Sequence, residues 1–248
     1  MIIVKNKVIK ITYWTLFILL FLIFGYSVFM IANWVKDNNI TRAETKSINT
    51  GQNIKSTNIT TSHDNNALNF QNLKKENKDT VAYIDVSLTD IHYPVVQTID
   101  NKYYLNHSFT KKKSGAGWIF LDCQNSSNFN DDNTVIYGHN RADKTMFGSL
   151  ENLLKNDLSQ AYPLIYISLE QERLVYQIFS VYTIFEEEYY IQKSFSTIEE
   201  KSAWLDTISK RNTSSLSIDV NEKDKILTLS TCYGNNDSRL VVHAKKII

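Results

Sequence analysis

From Ile11 to Val35 the chain runs for 25 consecutive residues without a charge, most of them Ile, Leu, Phe, Tyr, Trp and Val. At about 1.5 Å per residue a helix of that length spans roughly 37 Å, enough to cross a hydrocarbon core of about 30 Å with some tilt. Trp14 and Trp34 stand near its two ends, where amphipathic rings favour the membrane interface. A cleaved signal peptide has an apolar region of only about 7–15 residues and a small-x-small cleavage site. Here the run is longer, and Phe29-Met30-Ile31-Ala32-Asn33 supplies no such site. The expectation is an uncleaved single-pass anchor. Lys5, Lys7 and Lys10 precede the run, whereas only Lys36, beside Asp37, follows it closely. The positive-inside rule then puts the N-terminus in the cytoplasm and the remainder of the chain outside, at the cell membrane.

Residues 1–36 hold four of the 27 basic groups and no acid, leaving 23 basic against 26 acidic groups in residues 37–248. That balance argues against a nucleic-acid partner, which requires clustered cations. Two cysteines in 248 residues exclude a disulfide-stapled miniprotein and a zinc site built from four cysteines. Residues 37–66 contain five apolar residues (Ile40, Ala43, Ile48, Ile54, Ile59) and sixteen Asn, Ser or Thr. Such a segment buries too little surface to offset its ordering entropy, so it reads as a tether, with scope for some helix. Asn58-Ile59-Thr60 is a glycosylation sequon, meaningful only in a host that glycosylates.

The texture changes near Ala67, and residues 67–248 read as one domain. A short helix is expected at Phe70–Asn77. Strand-like runs follow at Val81–Val86, Ile91–Gln97, Gly117–Leu121, Thr134–Tyr137, Leu164–Leu169, Leu174–Ile184, Ile226–Thr231 and Leu240–Ala244. Pro94 suggests an edge or bulged strand. Helices are expected only at Lys144–Leu154 and Thr197–Ile208, the latter with Ile198, Ala203, Trp204, Leu205 and Ile208 as its apolar face. Eight strands with so few helices predict a mainly β fold, closed or nearly closed into a barrel.

Cys232 ends the run Ile226-Leu227-Thr228-Leu229-Ser230-Thr231, and the turn formers Gly234 to Ser238 follow. Strand alternation places Ile226, Thr228, Ser230 and Cys232 on one face. A thiol at a strand end beside a loop suits a nucleophile that must be fixed yet reachable. Spacing alone leaves open a disulfide with Cys123, as an extracytoplasmic location permits. Of five histidines, His63 lies in the tether, and His92 and His107 lack a supporting pattern. His243 shares the strand side of Arg239. His139 follows a strand in Thr134-Val135-Ile136-Tyr137-Gly138-His139, with Gly138 allowing the backbone to turn. Thiolate chemistry needs such a proton carrier. If the last two strands form a hairpin, Arg239 returns beside Cys232, where a guanidinium stabilises a thiolate or an oxyanion. The blander alternative is a rim arginine paired with Asp237. Glu186-Glu187-Glu188 reads as a solvated loop. There is no HExxH, CxxC, phosphate-binding Gly-rich loop or GxSxG, which removes the usual supports for zinc-peptidase, thioredoxin-like, nucleotide-binding and α/β-hydrolase readings.

Thr228-Leu229-Ser230-Thr231-Cys232, Arg239 seven residues later and Tyr137-Gly138-His139-Asn140 together resemble the sortase family, membrane-anchored cysteine transpeptidases of Gram-positive bacteria. Ile91 to Gln97, Asp100 to Leu105, Gly117 to Asp122 and the helix before the seventh strand are similar to class B members in particular. The resemblance extends over roughly residues 69–248. It implies an eight-stranded sortase-type barrel with an N-terminal helical extension and a helix between strands six and seven. It also implies catalytic roles for His139, Cys232 and Arg239, substrate walls near Asn101, Leu105, Tyr190, Ile191 and Ser230, and Cys123 as a free thiol. No metal or cofactor is implied. The implied partners are exported proteins with a C-terminal sorting motif, cleaved after Thr, and a peptidoglycan amine that receives them through a thioacyl intermediate. Two alternatives stay open: an anchored cysteine peptidase that only hydrolyses, and a non-enzymatic surface-anchored binding protein.

Overall fold

A computed structural model describes residues 2–51, 70–155, 157, 158, 161–185, 187, 189–233 and 238–248. The sequon at Asn58, His63, tether residues 52–66, Glu186, Glu188 and residues 234–237 lie outside the described residues.

The chain divides into two compact units, Met1–Ile40 and Thr41–Ile248. The first is helical. It belongs to α1 (Ile2–Gly51), whose side chains from Ile11 to Val35 are all exposed. The segment is apolar on every face, as a helix surrounded by lipid would be, and is long and apolar enough to cross a membrane, with a mean hydropathy of 2.5.

Polar composition predicts a tether from residue 37, but the helix continues to Gly51, and its last turns belong to the second unit. Ile48 is buried in the main core, and the Glu44 carboxylate accepts hydrogen bonds from Thr110 N (2.8 Å) and Ser108 Oγ (3.1 Å). Thr41, Glu44 and Ile48 recur at i, i+3 and i+7, a single helix face. Docking that face requires one apolar anchor and correctly placed polar partners rather than a high apolar content.

The second unit is built on eight strands: β1 (Thr80–Val86), β2 (Ile91–Val96), β3 (Phe120–Leu121), β4 (Asn133–Tyr137), β5 (Leu164–Ser168), β6 (Arg173–Phe185), β7 (Ile226–Tyr233) and β8 (Ser238–Lys246). They close into a barrel in the order β1-β2-β3-β4-β7-β8-β6-β5. β2/β3 and β4/β7 pair in parallel, and the other neighbours pair antiparallel. Alternation sorts the two faces of the wall. Leu227 and Leu229 of β7 and Leu240, Val242 and Ala244 of β8 fill the interior, while Thr228, Ser230, Val241 and His243 occupy the outer face. The β6–β7 crossover covers that outer face.

Pro94 sits in β2 opposite Tyr83 on β1, and its carbonyl accepts from Trp118 Nε1 at 2.9 Å on the other side. The β2/β3 ladder is confined to Val96 and Phe120, so the missing proline N–H interrupts nothing there. The bulge lies in β1, between Thr80 and Ala82.

Four helices complete the described structure: α1, α2 (Phe70–Glu76), α3 (Asn152–Lys155) and α4 (Ile198–Lys210). The helix expected over Lys144–Leu154 is instead a 3₁₀ turn at Gly148–Glu151 running into α3. Lys144 and Met146 adopt positive φ (66° and 53°), which ends any helix through them. In α4 the Thr197 hydroxyl caps Glu200 N at 3.1 Å. Its buried stripe is Lys201, Trp204, Leu205 and Ile208; Ile198 and Ala203, expected on that face, are exposed. Lys201 tolerates burial because its ammonium meets Asp132 Oδ1 (3.1 Å) and Asp224 O (2.9 Å).

Candidate active site

The site lies where the C-terminal ends of two parallel strands meet a hairpin. β4 pairs with β7 so that Tyr137 lies opposite Ser230, and Gly138 N donates to Ser230 O at 3.3 Å. His139 is the next residue. Across the β7/β8 hairpin, Ser230 pairs with Val241 and Cys232 with Arg239. Arg239 also stands opposite Ile184 on β6. Paired residues share a sheet face, so the strand positions of Ser230, Cys232 and Arg239 all fall on the outer face.

His139 is held from three directions. Its Nε2 lies 2.7 Å from Leu105 O; because a carbonyl can only accept, Nε2 carries the hydrogen and Nδ1 the lone pair of the neutral ring. Beneath the ring is Gly117, at φ +57°. A Cβ there would come within 2.8 Å of His139 Cδ2 and 2.6 Å of Tyr104 O. The preceding Gly138 has no positive φ, so its role is space rather than a turn: a Cβ there would meet the Phe147 ring at 2.8 Å. Phe147 N in turn donates to His139 O at 3.0 Å, closing the 140–146 loop. Within that loop, burial works against ionisation of Asp143, but donors from Thr145 and Arg141 outweigh it and hold its carboxyl below the usual range.

The other described histidines are engaged elsewhere. His92 bonds Asp85 at 3.0 Å, and His107 stacks on Tyr103 while bonding its carbonyl. His243 is fully buried between Tyr182 OH and Thr228 Oγ1, and burial, with Arg211 nearby, pushes its pKa down to about 3. Arg239 is half-buried, with Nη1 at 3.4 Å from Ser238 O. Cys123 is a free, half-buried thiol.

The residues expected to form substrate walls gather around the same strand ends. Leu105 is partly exposed beside His139. Tyr190, in a 3₁₀ turn over Tyr189–Ile191, is buried and shares a 2.9 Å hydrogen bond with Ser230. Ile191 packs half-buried in the same cluster as Tyr190 and Val241. Asn101 faces the end of β3: its amide donates to Asp122 at 3.0 Å and its oxygen accepts from Cys123 N at 2.8 Å. Sequence reasoning passes over Asp122, whose carboxylate also accepts from Tyr137 OH at 2.9 Å. Burial, then that neighbouring carboxylate, drives the Tyr137 phenol far above its ordinary pKa. Asn133 likewise carries no signal in the sequence. Its amide donates to Tyr190 O and Gln192 O, pinning the turn to β4.

A family profile described as a sortase domain matches residues 84–247. The chain is 35% identical over 181 residues to Sortase B of Listeria monocytogenes, covering 72% of this chain and 74% of that one. A crystal structure of Clostridium perfringens sortase B is similar over 72% of this chain and 100% of its own, at 37% identity and a TM-score of 0.68. A Staphylococcus aureus sortase B–substrate complex matches over 72% and 84%, at 35% identity and a TM-score of 0.67.

Proposed function

Because this chain belongs to the sortase family, as a cysteine transpeptidase of class B, we propose that Cys232, His139 and Arg239 are its catalytic groups. The observation that supports this most directly is the register that sets Cys232 opposite Arg239 while parallel pairing ends β4 one residue before Gly138-His139. The Cys232 thiolate attacks the carbonyl carbon of the Thr in a sorting motif, forming the C–S bond and a tetrahedral oxyanion that Arg239 stabilises. The C–N bond then breaks, and His139, whose Nδ1 has taken the proton of the Cys232 thiol as the thiolate forms, delivers that proton to the departing amine. With Nε2 held by Leu105, Nδ1 is the nitrogen through which that proton passes. A peptidoglycan amine attacks the thioester, gives its proton to His139 and expels the thiolate. Asn101, Leu105, Tyr190, Ile191 and Ser230 line the peptide groove in this reading.

The anchor is assigned to residues 1–36, with the N-terminus cytoplasmic, and the catalytic domain to residues 67–248. The turns at 41–51 pack back on that domain, and the rest of 37–66 serves as a linker. A sorting signal and a lipid-linked acceptor both lie at the membrane, so anchoring raises their effective concentration. In right-side-out vesicles, external protease is expected to release the domain and spare the first 36 residues; complete protection of the domain would reverse this topology.

The decisive experiment offers a sorting-peptide library to the purified chain and looks for a thioacyl adduct by mass spectrometry. Cys232→Ala is expected to abolish the adduct, and Arg239→Ala to slow its formation by roughly 10²–10³-fold, the scale of one oxyanion donor. Turnover retained in Cys232→Ala would overturn the assignment. Adding oligoglycine or a diaminopimelate-type amine should give an amine-linked product; with neither that product nor a rate gain, the enzyme only hydrolyses.

A further inference from the structure

Asp122, directly after β3, is only 1% exposed, and its carboxylate collects donors from three separate segments. Oδ2 accepts from Asn101 Nδ2 (3.0 Å) in the loop after β2, from Tyr137 OH (2.9 Å) at the end of β4, and from Lys193 Nζ (3.3 Å) after the Tyr189–Ile191 turn. Oδ1 accepts from its own loop, Gln124 N at 2.9 Å. A carboxylate has the lone pairs for this, whereas an amide would present a donor to at least one of these donors. The Asn101 segment and the Tyr190-Ile191 segment are both assigned above to the walls of the peptide groove, and Tyr137 lies two residues before His139. Neither wall carries a strand ladder at that point. The 190–193 segment is tied down by Asn133, which donates to Tyr190 O, Gln192 O and, through its backbone N–H, Lys193 O. Lys193 is the accessible member of the set, with 23% of its side chain exposed against 1% for Asp122.

We propose that Asp122, with Lys193 as its counter-ion, is a positioning residue that sets the separation of the two groove walls and so governs sorting-peptide affinity without touching the reacting atoms. This rests on the transpeptidase reading of the groove. The carboxylate works at a distance from the chemistry. It fixes Asn101 and Tyr137 from one side, and the ammonium draws in the segment that carries Tyr190 and Ile191.

The test uses the full chain in detergent micelles. Three quantities are measured: peptide KM and kcat for thioacylation, the rate of iodoacetamide alkylation on the Cys232 peptide by mass spectrometry, and the thermal midpoint. Lys193→Met is expected to raise KM roughly tenfold, the scale of one charge-assisted hydrogen bond, while changing kcat and alkylation by less than about twofold. Lys193→Arg should restore KM. Asp122→Asn should also raise KM, and the double variant should be no worse than the more impaired single, since both act through one tie. A Lys193→Met enzyme with unchanged KM and a lowered thermal midpoint would overturn the proposal alone, reducing the pair to a structural brace. If wild type forms no thioacyl adduct with any sorting peptide, the transpeptidase reading falls and the proposal falls with it.

Discussion

A methyl group at Gly117 would lie 2.6 Å from Tyr104 O, 2.8 Å from Leu105 O and 2.8 Å from His139 Cδ2, on a backbone already at φ +57°. None of these neighbours is the loose end of a flexible chain, so Gly117→Ala must shift the Tyr104 and Leu105 carbonyls together with the imidazole and disturb the contact of His139 Nε2 with Leu105 O. The expected result is a kcat for thioacylation that falls roughly ten- to hundredfold, the scale of misplacing one proton-transfer group. Gly25→Ala, where nothing lies within 4 Å, serves as the silent control. Equal kcat in the two variants would show that His139 does not depend on that contact. Strand alternation and local turn chemistry suffice to group Cys232 with Ser230, to bring Arg239 back across a hairpin and to set His139 past a strand end. Asp122 and Gly117 are not readable that way. Their roles come from Asn101, Lys193 and Leu105, neighbours that only the closed barrel brings near. Gly138 shows the same limit, since its absent side chain makes room for Phe147.

Strand runs are legible because their inward and outward residues alternate, and all eight expected strands are present with shifts of one or two residues at their ends, except that the strand expected over Gly117–Leu121 is reduced to Phe120–Leu121, Gly117 taking a positive φ. The segment at 144–154 misleads because its composition suits a helix, while Lys144 and Met146 take positive φ to close a loop against His139 O and Asp143. The turns at 41–51 mislead for the opposite reason. Composition reads them as a tether with scope for some helix, yet Ile48 is buried in the main core and Glu44 holds the distant loop at Ser108 and Thr110. A chain beginning at residue 52 should therefore be less stable than one beginning at residue 41. Exposing the pocket filled by Ile48 alone costs about 1.5–3 kcal/mol. At about 2–4 °C per kcal/mol for a domain of this size, the thermal midpoint should drop several degrees. Coincident melting curves for the two fragments would mean that these turns contribute nothing. The loop held by Glu44 carries Leu105 a few residues upstream, so the shorter fragment should also lose activity, and Glu44→Gln in the longer one should reproduce part of that loss.

Barrel closure and its two parallel pairings are properties of the whole chain that runs of residues do not reveal, and closure places His243 at the junction of several strands. Asn133 donates its amide to Tyr190 O and Gln192 O, so its oxygen accepts from the Thr228 hydroxyl at 2.6 Å. Having given its one hydrogen, Thr228 accepts from His243 Nδ1–H at 2.8 Å, which leaves Nε2 to accept from Tyr182 OH at 2.9 Å. β4, β7, β8 and β6 are thus joined through a ring that must stay neutral. Burial, then Arg211, pushes the folded pKa down to about 3, against about 6.5 in the unfolded chain. The unfolded state binds the extra proton between those values. Stability from this group is therefore complete above about pH 6.5 and falls at about 1.4 kcal/mol per pH unit as the pH drops toward 3. Asp132 and Asp143, whose folded pKa values are lowered, lose their contributions only in the carboxylate range below that of histidine. Urea unfolding of wild type and His243→Gln between pH 4.5 and 6.5 separates the two. The variant is expected to start less stable at pH 7 and to lose less with acidification, its slope shallower by about one proton. Parallel stability–pH curves for the two proteins would show that His243 is not the group that makes this barrel acid-sensitive.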